Sequence, residues 1–550
     1  MAPHRMGTLF SRAVVRLPSG PRAVRSLLTL LLGVCLLWPV CVTATRQTEE
    51  PEDHPAAPGE VLLERWQAEA AHQWATQQLA SEPQHPIWRF LLGQALFYLG
   101  RYPEALEAFD YAIKLLPHPR FQAYREFVAQ TLQSTAGLQP IETAHFRIYL
   151  DPERDAALVP YVAEVLEHSY ARLGDIFELL PTEKIRVEIF PTPALFYPAS
   201  SLSARDIEVS GAIGICKFNK IMLLSPRNLA RGYRWTDALS HEYIHYLLVH
   251  LSGNRAPIWL HEGIAKYFED VWRLPQSAWL SRRTESLLAH ALKHNSFVGF
   301  KNMEPSLVKL DTTYQVQLAY AEAASAIDFI MQRAGSKGLA RMLRELRQTD
   351  EDGATEAMAR MLGLEFAQFQ EQWRQFLAAK QLQEHEGMHL PRFELKDNAR
   401  PVADDLRQEI QSTAARMHAQ LGDRLRQRGH AQAAGQEYGR ALDKDPYSPY
   451  LLNKLAAVLM AQGQWQQALP SLQRAQALDA DYATTYTNLG RLHAALQAYD
   501  QARLALWEAV QINPFDPAIH LHLAESYRQL GQTDKAQQEQ QLFERLREAQ

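Results

Sequence analysis

The strongest constraint on the fold of this 550-residue chain is a 34-residue period near its carboxy terminus. Leu421, Leu455, Leu489 and Leu523 are each 34 apart, and each precedes a small residue, Gly422, Ala456, Gly490 or Ala524. Ala434, Ala468, Ala502 and Ala536 keep the same step, as do Ala441, Ala475 and Ala509. Small residues at fixed offsets let paired helices approach closely. A unit too short to bury its own apolar face must stack on its neighbours. Gly429, Gly463 and Gly531 mark the turn between paired helices, with Gln497 as the exception, and Pro446 and Pro514 end repeats. Residues 413–550 are therefore expected to form an all-α stacked array.

This period resembles the tetratricopeptide repeat, with a polar last unit as the cap. Residues 86–118 carry one more such unit, with Gly93, Gly100, Ala105, Ala112 and Pro117 at matching offsets. Residues 60–82 read as an incomplete helical partner, so an all-α region is expected over 60–135. The resemblance implies protein partners bound through the repeats. The period itself comes from packing residues and identifies no partner.

Between these flanks the pattern changes. His145–Leu150 and Ile185–Phe190 alternate as strands do, and 210–216 and 221–225 read as a further pair. Ala156–Leu180 has helical spacing, and helices are expected over 315–332, 339–346 and 366–382. A small sheet followed by helices predicts an α+β domain over 139–383. Residues 384–412 and the acidic, Pro-rich 45–59 read as linkers.

The chemistry concentrates in residues 235–272. His241-Glu242-Tyr243-Ile244-His245 is an H-E-x-x-H pattern. On a helix, i and i+4 share a face, so both imidazoles can reach one metal ion, and Glu242 can act as general base. A catalytic zinc site needs three protein ligands and an open position. Glu262 lies 17 residues past His245, enough for a helix end, a turn at Ser252-Gly253-Asn254 and an antiparallel return. A carboxylate there could close a two-His, one-Glu site. His250 and His261 read as surface residues or as groups behind the ligands, and Cys216 as a buried small hydrophobe. Asp237 and Glu269 are both candidates for the outer partner that a metal-bound His needs. Tyr320, with Tyr314 second, is the candidate oxyanion donor, and either also reads as a core aromatic.

His241, Glu242 and His245, with Trp259-Leu260-x-Glu262-Gly263-x-Ala265-x-Tyr267-x-Glu269, resemble the gluzincin metallopeptidases. The bacterial peptidase-MA-like domains, often found beside tetratricopeptide repeats, are the nearest match. The resemblance implies a zincin-like fold over roughly 140–383. It implies Zn2+ on His241, His245 and Glu262, Glu242 as base, and a peptide or protein substrate. It also implies an edge strand along the cleft, for which Ile221–Ser225 fits by position. The family's large aminopeptidases carry a Glu that grips a free amino terminus. Here the comparable Gly211-Ala212-Ile213-Gly214 has none, so an endopeptidase-like cleft is expected.

The first 44 residues hold Arg5, Arg12, Arg16, Arg22 and Arg25 and no acidic residue, ahead of an apolar run over 27–42. That is a signal-peptide pattern with a signal anchor as the other reading. It implies an exported protein of the bacterial periplasm or the outer face of the inner membrane. Removing 1–44 leaves 52 basic against 62 acidic residues, a net charge of −10, which excludes nucleic acid as a generic partner. Cys216 would be the only cysteine left, so no internal disulfide forms. Two readings of function stand: a zinc metallopeptidase with recruiting repeats, or a repeat scaffold whose peptidase-like domain binds peptides without cleaving them.

Overall fold

The computed structural model describes residues 58–307, 310–348, 353–390, 393–396 and 409–548. The leader, and with it the expectation of export, lies outside the described residues. Among the described residues no helix is long and apolar enough to cross a membrane.

The chain begins with a helical stack: α1 (Pro58–Glu64), α2 (Ala68–Ser81), α3 (Pro86–Tyr98), α4 (Tyr102–Leu115) and α5 (Pro119–Thr135). The expected repeat unit is the α3–α4 hairpin. Gly93 is small because a Cβ there would sit 2.7 Å from the Phe109 ring. Five strands follow, interleaved with helices: β1 (Gln139–Glu142), β2 (Phe146–Leu150), α6 (Val159–Phe177), β3 (Ile185–Phe190), α7 (Pro193–Ser200), α8 (Ala204–Ser210), β4 (Gly214–Lys217) and β5 (Lys220–Leu224). β1, α7 and α8 were not legible from periodicity. β1 is short and mostly exposed, so it shows no alternation.

The sheet order is β1-β2-β3-β5-β4, with β2, β3 and β5 parallel and both outer strands antiparallel to their neighbours. This corrects one expectation. Ile221–Ser225 is not the edge strand, because β5 is buried along its whole length and paired on both sides. The edge on that side of the sheet is β4, whose four residues are all half-exposed, and β1 is the opposite edge.

The helical layer is α9 (Trp235–Ser252), α10 (Ile258–Phe268), α11 (Arg282–His294), α12 (Thr313–Leu346, kinked at Gly335), α13 (Ala354–Met361) and α14 (Phe366–Ala379). α9 is buried on nearly every side, its polar residues Asp237, Ser240 and Glu242 included. Tyr243 on α9 packs edge-on to Phe146 of β2.

Eight further helices run from Thr413–Gln427 to Thr533–Glu548 in hairpin pairs. Gly422 and Gly490 lie where a Cβ would meet Tyr438 at 2.7 Å and Leu506 at 2.4 Å. Gly429, Gly463 and Gly531 have φ of 80°, 73° and 74°, the left-handed region that favours glycine. Gln497 takes the same conformation, φ 60°, without being glycine.

The array is docked, not tethered. Trp235 Nε1 donates to Val510 O at 3.0 Å, and Tyr161 Oη to Glu539 at 2.7 Å. Arg231 pairs with Asp479 at 2.8 Å, and Arg234 with Glu508 at 2.7 Å and Asp481 at 3.1 Å. Leu489, Leu506 and Ile512 of the repeats share one core with the sheet and α9. The amino-terminal stack is fixed to the sheet by a buried charged knot. Glu188 on β3 bonds Lys220 on β5 (2.8 Å), Arg186 (2.6 Å) and the Tyr102 hydroxyl (2.6 Å).

Candidate metal centre

α9 carries the H-E-x-x-H pattern on adjacent turns. It ends in a left-handed Gly253, φ 64°, followed by Asn254 in the same region, and this turn starts the antiparallel return. α10 then begins after Pro257, its first N–H groups met in part by Glu304, which accepts from Ile258 N at 2.7 Å. Gly263 on α10 lies against α12 so closely that a Cβ would sit 2.6 Å from the Ala323 carbonyl oxygen. That contact sets the depth of α10 and so the reach of its neighbour, Glu262.

His241, His245 and Glu262 come together, each offering one ligand atom within 4.8 Å of the others. Glu262 Oε2 is 3.5 Å from His241 Nε2 and 3.6 Å from His245 Nε2. Ligand atoms around a tetrahedral zinc, at metal distances of about 2.0–2.2 Å, stand roughly 3.3–3.6 Å apart. Glu262 Oε2 is buried and makes no hydrogen bond. Two imidazole nitrogens and one carboxylate oxygen are the donor chemistry zinc takes. The residues fit the ion.

The electrostatics point the same way. Burial would lower the pKa of His241, but Glu262 and Glu269 raise it to about 10. A proton there meets the demand of the surrounding carboxylates for a cation. Glu262 is held far below the ordinary carboxylate range: burial opposes this, and His245 and His241 override it.

Glu242 is buried, its carboxyl pushed up first by burial and also by Glu262, against the pull of His245 and His241. The backbone N–H of Cys216, on β4, donates to it. Gly214, also on β4, leaves it space: a Cβ at 214 would lie 2.8 Å from Glu242 Oε1. The edge strand therefore runs directly past the base. Cys216 is partly buried and packs against the core, a free thiol whose pKa is raised by burial and by Glu242.

The outer partners separate cleanly. Glu269 Oε2 meets His241 Nδ1 at 3.1 Å, and Lys266 Nζ holds the other carboxylate oxygen at 2.5 Å. Asp237 instead accepts from Trp272 Nε1 and Arg273. His261 is buried with its Nδ1 3.4 Å from His245 Nδ1, so it stands behind the second ligand. His250 faces Asn219 and Tyr246, away from the centre. Neither His261 nor Lys266 could be given its contact from spacing alone, although Lys266 lies one turn before Glu269.

Tyr320 on α12 has its ring centroid 6.5 Å from that of His241. Burial first, and then Glu262, Glu242 and Glu269, keep its phenol protonated. Tyr314 is elsewhere, edge-on to His290 on α11.

Residues 185–379 match the family model of the Peptidase MA superfamily, from β3 through α14. Tetratricopeptide repeat models match residues 87–119 and 447–514, so the peptidase-type domain has repeats on both sides. The chain is 29% identical over 228 residues to cellulose synthase 1 operon protein C of Komagataeibacter xylinus, covering 40% of this chain and 16% of that protein. It is 27% identical over 104 residues to small glutamine-rich tetratricopeptide repeat-containing protein 2 of Mycosarcoma maydis, covering 19% and 30%. The chain thus spans less than a third of the length of these relatives. Among solved structures it is similar to the Sgt2 TPR domain from Aspergillus fumigatus, at 21% identity and a TM-score of 0.22, covering 22% of this chain and 83% of that one. It is also similar to MamA, at 21% identity and 0.23, covering 27% and 85%.

Proposed function

We propose that this chain is a zinc-dependent metallopeptidase, with His241, His245 and Glu262 holding one Zn2+ and the repeats recruiting protein partners or substrates. The observation that carries the reading is Glu262 Oε2, buried without a hydrogen bond and 3.5 and 3.6 Å from two imidazole nitrogens, beside the buried Glu242. Zinc held there supplies a Lewis acid for a water molecule and for the scissile carbonyl.

The chain's own residues do the rest. The Glu242 carboxylate takes the proton of the attacking water and delivers it to the departing amine. The Tyr320 hydroxyl donates to the developing oxyanion, a contact of the kind worth about 3 kcal/mol. The free edge of β4 pairs with the extended substrate backbone and lays it past Glu242. Gly214, beside Glu242 on β4, carries no side chain that could grip a free amino terminus, which supports an endopeptidase. Glu269 and His261 orient the two imidazoles through their Nδ1 atoms.

The test compares the parent chain with Glu242→Gln in zinc quantitation and a peptide-library digest. The expected result is equal zinc in both and cleavage by the parent only. Equal cleavage by the two chains refutes the mechanism, and a parent without zinc refutes the metal. On the reading of residues 1–44 as a leader, the enzyme works in the periplasm or on the outer face of the inner membrane, which cell fractionation tests.

A further inference from the structure

A second histidine pair stands outside this centre. His290 and His294 lie one turn apart on α11, their ring centroids 4.4 Å apart. The two rings share a helix face, as i and i+4 positions do. Glu384, on the segment that leaves α14, closes on the same face, with Oε2 3.3 Å from His290 Nδ1. One ligand atom from each residue lies within 4.8 Å of the others, as in the first centre.

We propose that His290, His294 and Glu384 form a second divalent-metal site, for zinc, that fastens the segment after α14 to α11. Two imidazoles and one carboxylate suit zinc, and solvent completes the coordination, since all three residues are reached by water. The carboxylate is arranged for it. Lys293 Nζ holds Glu384 Oε1 at 3.0 Å and leaves Oε2 turned toward the histidines. Tyr314 packs edge-on to His290, ring centroids 6.3 Å apart, and limits where that imidazole can turn.

The fastening has a consequence for the fold. Immediately after Glu384, His385 bonds Glu285 of α11 at 2.6 Å. Glu386 then accepts from the Tyr447 hydroxyl at 2.5 Å, and Met388 packs with Leu452 and Leu478 of the repeat array. The same short segment is thus anchored to the peptidase-type domain at one end and to the repeats at the other. A metal at Glu384 adds a fixed point between this segment and α11, and stabilises the folded chain by an amount that grows with the logarithm of free zinc above its dissociation constant.

The experiment strips the full chain with chelator, adds zinc, and reads bound metal by equilibrium dialysis with elemental analysis. Three chains are compared: the parent, His290→Ala/His294→Ala, and His241→Ala/His245→Ala. The expected counts are two zinc ions for the parent and one for each double variant. His290→Ala/His294→Ala keeps peptide cleavage and loses the zinc-dependent rise in melting temperature that the second ion gives. If the parent and His290→Ala/His294→Ala bind the same number of ions, the second site is overturned, whatever the fate of the first. If His241→Ala/His245→Ala matches the parent while His290→Ala/His294→Ala has lost an ion, the catalytic centre fails and the second site stands. Glu384→Gln serves as the milder variant, expected to weaken zinc at this site without touching either imidazole.

Discussion

Gly263→Ala tests whether the contact between α10 and α12 sets the metal centre. The added methyl carbon would stand 2.6 Å from the Ala323 carbonyl oxygen, 2.8 Å from its carbonyl carbon and 3.0 Å from Ile327 Cγ1. Two of these three atoms are backbone and cannot rotate away. Ordinary contact begins at 3.4 Å, so α10 must retreat from α12 by about 0.8 Å. Overpacking of this kind costs about 1–3 kcal/mol. The retreat also carries Glu262, the preceding residue, off a position only 3.5 Å from His241 Nε2 and 3.6 Å from His245 Nε2. A misplacement near 1 Å in a reacting centre lowers rate on the order of 10²-fold. The assay is a denaturant midpoint on the zinc-loaded chain, with zinc affinity and kcat/KM on a cleaved peptide. Gly439→Ala is the control, since nothing lies within 4 Å of a Cβ there. It is expected to be neutral or to stabilise its helix by about 0.5–1 kcal/mol. A Gly263→Ala chain with the parent's midpoint, zinc affinity and kcat/KM would refute the reasoning.

Three further outcomes follow from other parts of the fold. Gln497→Gly removes a left-handed non-glycine residue at φ 60° and should raise stability by about 1 kcal/mol, read as a higher denaturant midpoint. Glu269→Gln weakens the acceptor on His241 Nδ1 and should lower zinc affinity roughly 10–100-fold, measured by chelator competition, with the fold unchanged by circular dichroism. Lys220→Met leaves Glu188 fully buried and short of one cation, at a cost of about 3–5 kcal/mol reduced by the remaining Arg186 bond. Burial alone would raise the Glu188 carboxyl, but Lys220 and Arg186 hold it at about 2, below its ordinary 4.5. The stability it contributes is therefore complete above pH 4.5 and lost as pH falls toward 2. Lys220→Met should flatten that acid limb in a series of denaturation midpoints.

Much of the site was legible because its spacing is local. His241 and His245 meet because any helix puts i and i+4 on one face, and Glu262 meets them because Gly253 and Asn254 turn the chain at the required length. The repeat boundaries were legible for a similar reason. Small residues recur wherever a partner ring or side chain fills the space of a Cβ, as Tyr438 does at Gly422. The edge strand was misplaced because it was assigned by position between two short neighbouring strands, and only hydrogen-bond pairing distinguishes a strand with one neighbour from a strand with two.

The sequence by itself determined the elements that depend on near neighbours along the chain: the stacked repeats, the helix bearing the two histidines, and the turn that returns Glu262. The tertiary structure alone decided which carboxylate stands behind His241. Asp237 and Glu269 are equally plausible in the linear order, but packing turns Asp237 toward Trp272 and Arg273 and leaves Glu269 on the imidazole. It also decided that the repeats are part of the same body as the centre, through contacts such as Trp235 with Val510, 275 residues apart. Such contacts have no period, since they depend on how whole surfaces meet rather than on how one helix or hairpin repeats.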